Sequence, residues 1–288
     1  MGAASDLFFG LTTAVGYGTG DFLARQASHR IGHLRVLFYL EAFGLAMLLP
    51  LAFVLERGGW DPADPWTLLA LLGLVNLVAS LFLYRAFELG VLSVVSPVAS
   101  SYPAVTAALA FLFLAERPGP LATAGIGIVL GGVLVLSRSR GHPDTPAPRD
   151  ARAGLASAFV AFAGYGVFYF ALAYFVEAIG PVTAAALVRG VGAAVLLAVS
   201  VRGPRLAARP PRDLWGHVLG IAVLDEVAFL AYNVGIVDGS VAIIGTLSGL
   251  FSAVTVMLAA VVLRERLTRV QYGAIAGLLV GVVLMALR

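Results

Sequence analysis

The 288-residue chain has no cysteine and no lysine, and only 12% of its residues are charged. Without cysteine there can be no disulfide framework and no thiolate metal site. Without lysine the fixed positive charge is carried by 19 arginines, most of them between apolar runs rather than in one basic patch, which argues against nucleic acid as a partner. The scarcity of charge is matched by 60% hydrophobic residues and a mean hydropathy of +0.95, an apolar share that soluble domains do not reach. The opening MGAASDLFFG has no positive leader and no small-residue cleavage site, so it reads as the start of a first membrane span.

What is present is a series of apolar segments. A bilayer core of roughly 30 Å needs about 20 apolar residues per helix. Ten windows meet this, near 6–24, 34–55, 66–88, 91–115, 119–137, 153–176, 181–201, 213–235, 240–263 and 269–287. Polar stretches rich in glycine and proline separate them. The longest, residues 138–152, divides a first five-helix unit (1–137) from a second (153–288).

The two units share a pattern. Gly16-Tyr17-Gly18 recurs 148 positions later as Gly164-Tyr165-Gly166; at the same offset Ile31-Gly32 falls on Ile179-Gly180, Glu41 on Arg189 and Gly44 on Gly192. After a one-residue slip, AVTAALAFLFLAER (Ala104 to Arg117) falls on AVTVMLAAVVLRER (Ala253 to Arg266). Five spans per unit is an odd number, so the second copy enters the membrane from the opposite side. The expected fold is all-α and integral to the membrane, with ten transmembrane helices as two inverted five-helix repeats, a construction that opens one central site to either face.

Gly-Tyr-Gly has sharper readings. A potassium filter would need an outer helix and a pore helix ahead of it, and only some fourteen residues precede Gly16. Gly18-Thr19-Gly20-Asp21 spells the Gly-x-Gly-Asp of intramembrane aspartyl proteases, for which Asp225 is the one plausible second aspartate. The plainer reading is close helix packing at the glycines beside a tyrosine that faces a cavity.

Ten spans in two halves, a fourth helix reading SPVASSYPAVTAALAFLFLAERP and a glycine-rich fifth reading GIGIVLGGVLVL resemble the drug/metabolite transporter superfamily, in particular its EamA-type permeases. Pro103 with Glu116 thirteen residues on, echoed by Glu265, is the most specific part. The family habitually places an arginine in the second helix of each half; Arg189 fits, whereas Glu41 departs from the pattern. The resemblance implies a secondary transporter without enzymatic activity or cofactor, in a bacterial cytoplasmic membrane, that moves a small organic metabolite by alternating access. Export of an amino-acid-like solute is favoured. A lipid or lipid-linked carrier and an intramembrane aspartyl protease are the alternatives.

Ionisable side chains in hydrocarbon are costly and therefore mark sites. Glu41 and Arg189 each lie about eight residues into their helices, or about 12 Å at 1.5 Å per residue. Entering from opposite faces, they can meet near the midplane as a gating or substrate-binding pair. Asp225 and Glu226 lie at similar depth and are the candidates for proton coupling, although neighbours on a helix point about 100° apart and cannot both face one cavity. Pro97 and Pro103 should break the fourth helix and free its carbonyls. Ser100 and Tyr102 flank that break, with Ser248 and Ser252 in the corresponding helix; Tyr17, Tyr84, Tyr165, Tyr169, Tyr232 and Asn233 complete the substrate-binding candidates. This mix suits a small amphipathic solute better than a bare ion.

Asp21 with Arg25 and Arg85 with Glu88, at i,i+4 and i,i+3 spacing near helix ends, read as interfacial ion pairs. His29 and His33 lack an intervening carboxylate and suggest a wet loop, not a metal site. Fifteen arginines fall in the odd-numbered loops and three in the even loops and termini, which makes the odd loops cytoplasmic and sends both termini outward. The family resemblance implies cytoplasmic termini instead. Oligomeric state, substrate and coupling ion are not written in the sequence.

Overall fold

The computed structural model describes residues 3–56, 66–113, 119–138, 148–203, 205–238, 244, 247–264 and 266–286; Glu116, Arg117, Glu265 and most of the expected linker lie outside them. Among the described residues the protein is helical throughout, without strands. The helices are α1 (Ala3–Ile31), α2 (His33–Leu55), α3 (Trp66–Leu89), α4 (Leu92–Ser100), α5 (Pro103–Phe113), α6 (Pro120–Arg138), α7 (Ala151–Ile179), α8 (Pro181–Arg202), α9 (Trp215–Asp238), α10 (Phe251–Val262) and α11 (Arg269–Ala286). Five helical segments, within α2, α3, α7 and α8 and across Arg212–Val237, are long and apolar enough to cross a membrane.

The bundle carries apolar side chains outside and polar ones inside, as a hydrocarbon solvent requires. On α3, Leu68, Leu71, Leu74 and Val78 form an exposed stripe at helical spacing, while Asn76, Ser80 and Tyr84 are buried on the other side. The same composition packed for water would invert that pattern.

The two copies of the repeat interlock rather than sit side by side. The first helix of each packs on the third of the other, α1 on α9 and α7 on α3, while second meets second (α2 with α8) and fifth meets fifth (α6 with α11). Partners run antiparallel. Along α2 and α8, Glu41 lies beside Gly192, whereas Glu56, just past the end of α2, accepts hydrogen bonds from the backbone N–H groups of Val182 (2.9 Å) and Thr183 (2.7 Å) at the start of α8. That carboxylate satisfies orphan donors at a helix N-terminus, where the helix dipole also favours an anion.

Single glycines make the tightest connections. Gly32 joins α1 to α2 and Gly180 joins α7 to α8, at φ of 85° and 89°, a region that costs other residues a Cβ clash. The two glycines of Gly-Tyr-Gly are contact points, as the plainer reading expects. A Cβ at Gly18 would stand 2.6 Å from the Phe251 carbonyl oxygen, and one at Gly166 would run into Val105. Thr255 donates to the Gly18 carbonyl at 3.1 Å, and Thr106 donates to the Gly166 carbonyl at 3.0 Å. The second glycine of each Gly-Tyr-Gly is thus where the first helix of one copy meets the fourth helix of the other, the first glycine packs on the third helix, and the tyrosine between them lines the interior chamber.

The fourth span of the first copy is broken between α4 and α5. Pro97 lies inside α4 and Pro103 opens α5, and the Pro97 carbonyl accepts from Ser100 (3.1 Å) and Ser101 (2.7 Å). The break therefore occurs between the prolines, and the buried Pro97 carbonyl is taken by local hydroxyls.

Candidate functional site

A chamber lies between the two copies, with walls from α1, α2, α3, α7, α8, α9 and α10. Its lining comprises Tyr17, Asp21, Leu40, Asn76, Ser80, Leu83, Tyr84, Tyr102, Tyr165, Tyr169, Arg189, Asp225, Phe229 and Phe251. Its volume is about 50 Å³; at about 10–15 Å³ per water it has room for a few waters or the polar part of a small solute.

At its base Arg189 enters from α8 and holds three carboxylates. Its Nη2 donates to Asp225 Oδ2, its Nε stands 2.6 Å from Glu226 Oε1, and its Nη1 stands 3.5 Å from Glu41 Oε1. The Asp225 contact is the one aligned as a hydrogen bond, and Glu41 and Glu226 are held chiefly by the opposite charge. Glu41 and Glu226 are fully buried beneath the chamber, and Asp225 reaches its wall. Adjacent residues on α9 thus diverge, as the 100° step requires. The Phe229 ring covers the guanidinium, its centroid 5.3 Å from Cζ.

Two glycines make this cluster possible. A Cβ at Gly44 would occupy the position of the Glu226 carboxylate, and a Cβ at Gly192 that of the Glu41 carboxylate. They stand 148 positions apart, as do Glu41 and Arg189. They sit where second helix crosses second helix, so Gly192 lies against Glu41, Gly44 against Glu226 and Arg189, and the counterparts Glu41 and Arg189 meet across the crossing.

The upper walls are aromatic. Tyr102 and Tyr169 stack with centroids 4.6 Å apart, and Tyr17 meets Phe251 edge-on at 5.9 Å. The hydroxyls of Tyr17 and Tyr169 share a hydrogen bond of 3.2 Å, and those of Tyr165 and Ser80 one of 3.0 Å. One turn along α1 from Tyr17, Asp21 also lines the chamber; it is 8% exposed, and its Oδ2 has no hydrogen-bond partner.

The structure therefore brings Tyr17, Tyr84, Tyr102, Tyr165, Tyr169, Arg189 and Asp225 to one chamber, with Glu41 and Glu226 buried against Arg189. Other sequence candidates are placed elsewhere. Tyr232 packs edge-on to Tyr169 at 5.0 Å, behind the lining; Asn233 donates to the Pro181 carbonyl at 3.2 Å; Ser100 bonds within α4; Ser248 pairs with the Tyr102 hydroxyl; and Ser252 is buried without a partner for its hydroxyl.

Three sequence expectations are corrected. Asp21 is not interfacial but lines the chamber. Glu88 pairs not with Arg85 but with His33 (2.6 Å) and Arg149 (2.7 Å), while Arg85 lies over Phe82 with 6.0 Å from Cζ to the ring centroid. His29 and His33 are in helices, not a loop: the His29 carbonyl accepts from Arg149, and His33 is held by Glu88 through both ring and backbone nitrogen. Among the described residues no group of three or more histidines, aspartates or glutamates is arranged to hold a metal ion.

A two-copy helical bundle, apolar outside and enclosing a polar, aromatic-walled chamber between its copies, defines the class as a membrane protein built to handle small solutes. The chain matches the EamA-like transporter family over residues 5–138 and again over 152–287, and it belongs to that family. Among its relatives is an uncharacterized protein of Methanocaldococcus jannaschii, 29% identical over 133 residues; the match takes in 96% of that protein but only 46% of this chain. A stretch of just under half of this chain thus corresponds to nearly all of that protein. A solved crystal structure at 18% identity superposes with a TM-score of 0.71, covering 98% of this chain and 96% of its own, and shares the fold. Membership of a transporter family leaves no support for the protease alternative, and Asp225, bonded to Arg189, is not placed to share a proton with Asp21 alone.

Proposed function

We propose that the protein is a secondary transporter of a small organic metabolite, working by alternating access between two inverted five-helix units that together cross the membrane ten times. Residues 1–137 and 153–288 form the units, and the polar stretch 138–152 joins them. An amino-acid-like solute, moved outward, fits the chamber's mixture of tyrosine faces, hydroxyls and charge. The arginine-rich ends of the helices face the cytoplasm of a bacterial cell. Asp225 and Glu226 serve as the proton-coupling carboxylates: with one guanidinium among three carboxylates, uptake of a proton neutralises charge that hydrocarbon penalises.

The observation that carries this reading is the Arg189 cluster at the crossing of α2 and α8, beneath a chamber walled by both copies. Any rocking of one copy against the other must rearrange that crossing, so occupancy of the chamber and the position of the helices are coupled through the same side chains.

The test is flux of pooled labelled amino acids, sugars and nucleosides into proteoliposomes, with and without an imposed proton gradient, for wild type, Arg189→Ala and Glu226→Gln. Saturable flux of one class, lost in Arg189→Ala and uncoupled from the gradient in Glu226→Gln, is expected. Absence of flux in either membrane orientation would overturn the reading and favour a lipid or lipid-linked cargo.

A further inference from the structure

The central chamber contains more negative than positive side chains. Among the described lining residues Arg189 is the one cation, and each of its three guanidinium nitrogens already faces a carboxylate: Glu41, Asp225 and Glu226. Asp21, on α1, adds a fourth carboxylate to the chamber lining, nine-tenths buried, with Oδ2 unpartnered. An acceptor in such a place is costly unless something donates to it. No polar group among the described residues does so, and Asp21 itself lines the chamber where a solute would lie.

The remaining lining points to the same kind of donor. Five tyrosines and two phenylalanines wall the chamber, and the ring faces carry negative quadrupole potential. Aromatic faces around a carboxylate recognise ammonium groups, quaternary ones included, by cation–π attraction and charge together. A solute carboxylate fares worse: it would have to displace one of the three acids from Arg189 and then sit among all four.

We propose that Asp21, with the rings of Tyr17, Tyr84, Tyr165 and Tyr169, forms a cation subsite, and that the chamber selects organic cations: amine or quaternary ammonium solutes without a compensating carboxylate. This rests on the reading of the chamber as the solute site and replaces the amino-acid-like solute of that reading with one that presents an ammonium alone. Asp21 is the specificity-determining residue and Arg189 holds the floor.

Four matched probes test this on the full-length protein in detergent: tetramethylammonium, n-propylamine, 2-aminobutanoate and butyrate, with binding followed by saturation-transfer NMR and competition. The first two should bind, 2-aminobutanoate at least about tenfold more weakly, and butyrate not at all. Asp21→Asn should weaken both cations at least about tenfold at an unchanged unfolding temperature, Asp21→Glu should retain binding, and Tyr169→Leu should weaken tetramethylammonium. Equal or tighter binding of the zwitterion or the acid, cation binding indifferent to Asp21→Asn, or no binding by any probe would overturn the proposal. Flux of the same probes in proteoliposomes separates the two readings. Cation binding without flux supports the subsite and counts against transport; flux of butyrate in preference to the amines supports transport and overturns the subsite.

Discussion

The two copies of the repeat agree where helices cross and disagree where charge is buried. At the Gly-Tyr-Gly crossings they are interchangeable: Gly18 lies on α10 as Gly166 lies on α5, and Thr255 and Thr106 donate to equivalent carbonyls. At the central crossing of α2 and α8, Glu41 stands opposite Arg189, and on the chamber wall Asp21 occupies the position that Tyr169 fills in the other copy. The difference has an electrostatic cause. A residue on a two-fold crossing meets its own counterpart, so identical charges there would repel in a low dielectric, whereas glycines or threonines in equivalent positions simply make the same contact twice. Packing can be duplicated at no cost; buried charge has to be made complementary.

The comparison can be broken most forcefully at Arg189. Replacing it with Met leaves the buried carboxylates of Glu41 and Glu226 uncompensated, a loss of about 3–5 kcal/mol, to be read as a large drop in unfolding temperature in detergent. Adding Glu226→Gln should recover part of it. The charge swap Glu41→Arg with Arg189→Glu sharpens the point. It restores a pair at the crossing but places a carboxylate where Asp225 and Glu226 need a cation, so it should remain well below wild type; full rescue would show that the pair alone matters.

The crossings should respond symmetrically. Gly18→Val and Gly166→Val each overpack a helix contact, at about 1–3 kcal/mol, and equal losses from the two copies are expected. Unequal losses would show that one crossing yields more easily. Thr106→Val and Thr255→Val remove one hydrogen bond each, about 0.5–1.5 kcal/mol, again alike in thermal unfolding. The smallest effect is expected at the solvated end, where Arg149→Ala removes a half-exposed ion pair with Glu88 and should cost less than about 1 kcal/mol.

Much of this was legible in the sequence because the repeat is written in residue types that packing requires. The offset of 148 aligned the glycines, tyrosines and the Glu41–Arg189 pair, and hydrocarbon makes buried charge conspicuous on its own. Two of the three errors share one origin, which is the preference for local partners. Asp21 has Arg25 one turn away and Glu88 has Arg85 in the preceding turn, yet Asp21 turns to the chamber and Glu88 finds partners 55 and 61 positions distant. Asn76 and Ser80 escaped notice because single small polar residues in an apolar helix carry no pattern. Their spacing with Tyr84, four and four residues along one face of α3, was the available signal.

Glu56 ties the end of α2 to the first turn of α8, across the boundary between the copies. A carboxylate at such a place contributes about 0.5–2 kcal/mol, and at 1.4 kcal/mol per factor of ten that amounts to roughly a two- to thirtyfold weighting of one conformation over another. The contact thus acts as a clasp at one rim of the bundle, whose release time would set how long the molecule dwells in one orientation, independently of what the chamber holds.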